Sequence, residues 1–192
     1  MKKIIILFFC LVFIFLVAFI INYQLSYSVT DSGANIDNKI IYFLRNSKYA
    51  NSTKEIRIKY QCNIDDRKYV LFYINKNLAY AELRRGLNSK YKIISVTADI
   101  NMLRYEIIKT NKSKYLFVAG KNADLQIDYI KAKIGVDEYT VTIPKELYFI
   151  SYCPVSSWAS LAEDPSTDTF KVFDNKNNDI TSKIRTNSPK PI

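Results

Sequence analysis

Residues 4 to 21 read IIILFFCLVFIFLVAFII, eighteen consecutive apolar residues without a charge, a glycine or a proline. As a helix this run is about 27 Å long, close to the roughly 30 Å hydrocarbon thickness of a bilayer. A helix that is apolar on every side needs covering all round, and a domain of this size is too small to provide that cover. The run is therefore expected to cross a membrane. Lys2 and Lys3 precede it, while on the other side Asp31 and Asp37 come before the first lysine, Lys39. Positive flanks stay in the cytoplasm, so residues 22 to 192 are expected outside the cell membrane, with Tyr23 and Tyr27 at the headgroup level.

Two processing alternatives bear on the same run. A cleaved signal peptide has a shorter apolar stretch and small residues at its cut; here the small-x-small candidate is Ser26-Tyr27-Ser28. A lipid-modified cysteine ends its apolar stretch, whereas eleven apolar residues follow Cys10. Cys10 therefore reads as one more apolar residue of the run. An uncleaved signal anchor explains the length best, and a secreted effector or inhibitor is the alternative if the segment is cut.

The external part is basic, and unevenly so. Residues 39 to 121 hold 18 basic and 6 acidic side chains, whereas residues 122 to 192 hold 8 and 10. A basic half close to the membrane points to anionic lipid or an anionic wall polymer as a partner, or to another envelope protein. Nucleic acid is not expected, since the basic residues are scattered along alternating strands and the location is external. The chain has no histidine, which removes the commonest general base and the commonest zinc ligand. Cys62 and Cys153 would both lie outside, where a disulfide can persist; its loop of about 90 residues would be worth roughly 4 to 5 kcal/mol. The other reading is two separate small apolar residues.

Periodicity divides the chain into an anchor over 1–21, a polar linker over 22–34, a folded domain over 35–184 and a disordered tail over 185–192. Ile36, Ile40, Ile41, Phe43 and Leu44 recur at helical spacing behind Asn35, a candidate N-cap, predicting a short amphipathic helix over 35–47. The period then switches to two. Ile56, Ile58 and Tyr60 alternate with Arg57 and Lys59, and Tyr69–Ile74 is dense enough for an inner strand. Further strands are expected over 78–83, 91–96, 103–108, 115–119, 125–134, 139–143, 147–152 and 170–173, separated by turn residues. Residues 46–52 and 154–168 read as loops, and Gly86-Leu87-Asn88-Ser89 as a turn near a sub-boundary at 86–90. The expected fold is α+β and β-rich: a transmembrane helix, one short helix, and a mostly antiparallel, sandwich-like β domain.

No motif for catalysis or for a cofactor stands on a suitable element, and the expectation is a binding domain without enzymatic activity. Ser89 and Lys92 have Ser-x-x-Lys spacing, but that pair needs a shared helical face, and here a turn runs into a strand. The carboxylate pairs Asp65-Asp66 and Glu163-Asp164 read as turn and surface, leaving a carboxylate or Ser/Lys hydrolase as the competing class. Asp174 to Asp179 resembles a calcium loop, but Lys176 occupies a ligand position and no closing Glu follows. Two candidate contacts remain. Arg84 and Arg85 ahead of Gly86 form a candidate anion clamp, and Trp158, the only tryptophan, is a candidate partner contact.

The run GLNSKYKIISVTADINMLRYEIIKTNKSKYLFVAGKN (Gly86–Asn122) and the later KVFDNKNNDITSKI resemble small membrane-anchored proteins of Gram-positive bacteria whose function is uncharacterised. The resemblance covers about residues 67–184. It implies a single N-terminal transmembrane helix and an envelope location, and it brings no catalytic residues.

Overall fold

A computed structural model describes residues 2–45, 55–100, 102–160, 169–184 and 186–187. The chain is α+β and β-rich. Helix α1 (Lys2–Ser26) is long and apolar enough to cross a membrane. Every side chain from Ile5 to Asn22 is exposed, so α1 stands clear of the domain until its last turn. Helix α2 (Ile36–Arg45) buries Ile36, Ile40 and Leu44 at fourfold spacing, with Asp37 in its first turn and Arg45 in its last to match the helix dipole. The proposed N-cap is only half realised. Asn35 offers its carbonyl to the Lys39 N–H at 3.2 Å, but its side-chain oxygen is buried without a partner.

Among the described residues, eleven strands form three sheets. Sheet A is β1 (Ile56–Ile64), β2 (Arg67–Ile74), β3 (Asn77–Arg85) and β4 (Tyr91–Ile100), a meander in chain order. Sheet B contains β5 (Leu103–Lys109), β6 (Lys114–Lys121) and β9 (Tyr148–Val155), edged by a short parallel β11 (Thr186–Asn187). Sheet C is β7 (Tyr129–Ile134), β8 (Asp137–Thr142) and β10 (Thr169–Phe173), in the order β10-β7-β8.

Three apolar clusters stack these elements into four layers. Ile36, Ile40 and Leu44 of α2 pack on Val70, Phe72, Ala79, Ala81 and Leu83, one face of sheet A. The opposite face, through Tyr69, Leu71, Leu78 and Tyr80, meets Ile108, Phe117, Ala119 and Ile150 of sheet B. The other side of sheet B, through Leu103, Leu116, Val118 and Phe149, meets Ile130, Ile134, Val141 and Val172 of sheet C. Sheets A and B are thus covered on both faces, which is why β2 is buried at nearly every position instead of alternating.

Several expectations need correcting. The strand expected over 125–134 starts only at Tyr129. Asn122 is buried and exchanges two hydrogen bonds with the Ile127 backbone, at 3.0 and 3.1 Å, which holds residues 122–128 as a loop. The turn at 86–90 marks no sub-boundary, because it joins neighbouring strands of one sheet. Within the expected tail, Thr186 and Asn187 pair with Leu103 and Arg104. The expected loop at 46–52, the Glu163-Asp164 pair and the rest of that tail, residues 185 and 188–192, lie outside the described residues.

The largest correction concerns the linker. Residues 27–34 are fastened along sheet A instead of hanging free. Val29 and Tyr91 exchange backbone hydrogen bonds at 3.0 and 2.8 Å. Lys68, with its side chain only 5 % exposed, donates to the Asp31 carbonyl at 2.6 Å and pairs with its carboxylate at 2.9 Å. Asn63 donates to the same carboxylate at 3.2 Å. Together these donors hold the Asp31 carboxyl below its ordinary range, the Lys68 hydrogen bond first among them. Gly33 has φ +69°, and a Cβ there would stand 2.9 Å from Gln61 Oε1, so the crossing needs both the handedness and the space that glycine gives.

Candidate functional site

The β3–β4 turn grips the end of α1. Tyr23 and Tyr27 stack on one helix face with ring centroids 4.5 Å apart. The Tyr23 hydroxyl accepts the Leu87 N–H at 2.6 Å. Asn88 Nδ2 donates to Gln24 Oε1 and to the Tyr27 carbonyl, both at 3.0 Å. Gly86 makes the contact possible through absence of bulk, since a Cβ there would lie 2.5 Å from Tyr27 Cδ1 and 2.6 Å from the Tyr23 hydroxyl. Two separate stretches of sequence, Tyr23 and Tyr27 in one and Gly86 and Asn88 in the other, therefore make one collar.

The collar fixes which end of the domain lies toward α1. The β1–β2 turn lies at that end, because the Arg85 N–H donates to the Asp66 carbonyl at 2.8 Å. The β5–β6 turn joins it. Asp65 accepts the Thr110 hydroxyl at 2.6 Å and the Tyr115 hydroxyl at 2.8 Å, and Asp66 accepts the Asn111 N–H at 2.9 Å. The Thr110 hydrogen bond, with Tyr115 and Lys112 adding to it, lowers the Asp65 carboxyl below its ordinary value. Sheet C ends there too. Lys114 donates to the Ala159 carbonyl at 2.9 Å, the Tyr139 hydroxyl bonds Ser156 Oγ at 3.0 Å, and Gly135 lies against the Trp158 ring. This near end presents three apolar tips: Leu87 at 97 % exposure, Val136 at 86 % and Trp158 at 55 %.

Arg84 and Arg85 are both exposed at the end of β3. As neighbours on a strand they point to opposite faces. Arg84 lies on the side of Glu82 and Arg85 on that of Tyr91, so they do not form the expected two-guanidinium clamp. Neither makes an ion pair among the described residues, and the same holds for Lys90 and Lys92. Ser89, in the turn at φ 58°, and Lys92, on β4, share no helical face.

Beside the collar runs a groove of about 410 Å³ that the sequence did not reveal. The end of α1 contributes Leu25 and Ser26, the crossing segment Ser28 and Val29, α2 Lys39, Tyr42 and Phe43, and β4 Lys92 and Ile93. Its signal in the sequence was faint: lysines 53 positions apart, on a helix and a strand whose docking no periodicity specifies.

Carboxylates do converge elsewhere. Glu82 and Glu106 approach each other between sheets A and B, with Arg67 at 2.7 Å from Glu82 and Arg104 at 3.5 Å from Glu106. Tyr80 donates to Glu106, and Ser95 lies 3.5 Å from Glu82. Burial raises the Glu82 carboxyl above its ordinary range despite Arg67, and burial raises Tyr69 and Tyr80 as well. Every acid here faces an arginine or a tyrosine of the same inter-sheet layer, and none of these residues lines the groove.

Cys62 and Cys153 are both free thiols, which corrects the disulfide reading. Cys62 borders the layer between sheets A and B, whereas Cys153 pairs with Leu116 and borders the layer between sheets B and C. They lie on opposite sides of β9, an edge strand of sheet B, and burial raises both thiols. The Asp174 to Asp179 loop is an Asx-type turn in which Asp174 accepts the Lys176 and Asn178 N–H groups at 2.9 and 2.8 Å. Among the described residues, no group of three or more His, Cys, Asp or Glu could hold a metal ion.

No protein-family model matches the chain, and no match was found among curated proteins or among solved structures.

Proposed function

We propose that this chain is a single-pass protein of the cell envelope, anchored by α1 with Lys2 and Lys3 on the cytoplasmic side. Its external β-rich domain binds, without catalysis, and rests end-on against the anionic surface of its own membrane. The observation that carries this reading is the collar. The domain spends a glycine, an asparagine side chain and a backbone N–H on Tyr23, Gln24 and Tyr27, contacts that cleavage at Ser26-Tyr27-Ser28 would discard. A freely swinging domain would have no use for them.

With α1 projecting away and only its last turn held, the bilayer lies beyond the near end. There Arg84, Arg85, Lys90 and Lys92 face outward, and each basic residue near an anionic leaflet contributes about 1 kcal/mol. Leu87, Val136 and Trp158 suit the headgroup layer, tryptophan most of all. A binding role, as opposed to a catalytic one, is supported by the way Arg67 and Arg104 hold the converging carboxylates inside the sheet stack.

Trp158 is the sole tryptophan, so its fluorescence reads the orientation directly. In the full chain reconstituted into vesicles with anionic lipid, lipids brominated near the headgroup should quench Trp158, and quenching should fall in zwitterionic vesicles or at high salt. Equal access of a water-soluble quencher in every vesicle would overturn the end-on reading.

A further inference from the structure

The groove beside the collar has the polarity of an amphiphile. Leu25, Val29, Phe43 and Ile93 line it as apolar residues, and Lys39 of α2 and Lys92 of the edge strand β4 line it as well. Lys39 is half-buried and Lys92 exposed, and neither makes an ion pair among the described residues. Such a groove, open to water, would leave Leu25 uncovered at 73 % exposure, although Val29 and Ile93 are already buried. It lies instead where α1 leaves its apolar span, and Leu25 belongs to both the helix and the groove wall.

We propose that the groove seats one anionic phospholipid from the leaflet that α1 leaves. The phosphate lies between Lys39 and Lys92, with the Ser28 hydroxyl as a further donor, and the upper acyl chain lies along Leu25, Phe43 and Ile93. This rests on the membrane-apposed reading and deepens it, because it replaces a diffuse attraction to charge with one stoichiometric ligand. Two features favour lipid over a peptide segment: the cations and the apolar wall share one groove, and that groove is continuous with the membrane-facing helix.

The test uses the full chain released from bilayers of phosphatidylglycerol and phosphatidylcholine and weighed by native mass spectrometry. One retained phosphatidylglycerol per chain is expected, in preference to phosphatidylcholine. The K39Q/K92Q double variant should lower its retention about tenfold or more, while K76Q, in the β2–β3 turn at the opposite end, should leave it unchanged. Equal retention of both lipids, or equal retention by the wild type and K39Q/K92Q, would overturn the proposal. Trp158 quenching separates the two readings. Quenching that persists in K39Q/K92Q without a bound lipid retains the end-on reading and locates the lipid at Lys39 and Lys92. Quenching in a wild type that holds no lipid sinks the groove ligand alone.

Discussion

Hairpin turns close both ends of the β domain, yet the two ends treat their charges differently. Toward the far end, basic residues meet partners within the fold: Arg57 lies 2.8 Å from Glu55, Lys145 lies 2.8 Å from Asp128, and Lys59 stands over the Tyr73 and Tyr148 rings at 5.9 and 5.5 Å. At the near end the acids are spent on structure. Asp31 ties the crossing segment to Lys68 and Asp65 holds the β5–β6 turn, while Arg84, Arg85, Lys90 and Lys92 make no ion pair among the described residues. Ion pairs on a surface add little stability. The difference therefore teaches more about partners than about folding: toward the far end Arg57 and Lys145 are paired within the fold, whereas Arg84, Arg85, Lys90 and Lys92, without such an ion pair among the described residues, stand beside a helix suited to a bilayer.

The strongest way to break this contrast is at Gly86. In Gly86→Val the new side chain starts 2.5 Å from Tyr27 Cδ1, and overpacking of that kind costs about 1–3 kcal/mol. The collar should open while the sheets persist. Hydrogen exchange at Leu87, Val29 and Tyr91 should rise sharply, and far-UV circular dichroism should stay unchanged. Protection equal to wild type would mean that the collar does not fix the domain to α1.

Asp65 tests the near end from within. Asp65→Ala removes the acceptor of the Thr110 and Tyr115 hydroxyls and of Lys112 at 3.4 Å. Loss of such charged acceptors costs about 2–3 kcal/mol, seen as a lower thermal midpoint. The pH dependence has a definite sign. The folded Asp65 and Asp31 carboxyls lie below their ordinary value of 3.8, so their stabilisation is complete above that value and is lost as pH falls through the folded values. Asp65→Asn should flatten the decline in stability on acidification below about pH 4. Glu82, raised by burial, works the opposite way: it favours the fold while protonated and costs stability as pH rises through and above its ordinary 4.5.

How much of this was legible in the sequence follows from the range of each interaction. The N-terminal apolar helix, α2 and the positions of most strands along the chain rest on local periodicity, and they emerged with boundaries shifted by a few residues, whereas the pairing of the strands and their division into three sheets did not. The doubly covered β2 showed in its unbroken apolar run. The linker, by contrast, looked like a tether because its fastenings are long-range: Asp31 reaches Lys68 and Asn63, and Val29 reaches Tyr91. The same applies to the collar and the groove, which join residues about 50 to 65 positions apart. Gly86 was read as a turn residue, whereas its φ is not in the left-handed region and its value is the space it leaves for two tyrosines. Arg84 and Arg85 illustrate the converse error, in which adjacency suggested cooperation that the strand's alternation forbids.

The smallest effect is expected at Cys62 and Cys153, the two thiols of the β domain. Cys62 and Cys153 lie on opposite sides of sheet B, and burial holds both thiols above their ordinary value. The thiolate is the reactive form, so at neutral pH both should react slowly in the folded chain and at ordinary rates after denaturation. Peptide mapping without reductant should find both residues unlinked, and Cys153→Ser should shift the thermal midpoint by only a few degrees. A Cys62–Cys153 peptide recovered from native material would require the edge strand β9 to turn over or leave sheet B, since the two sulfurs lie on its opposite sides. That result would discard the four-layer stack.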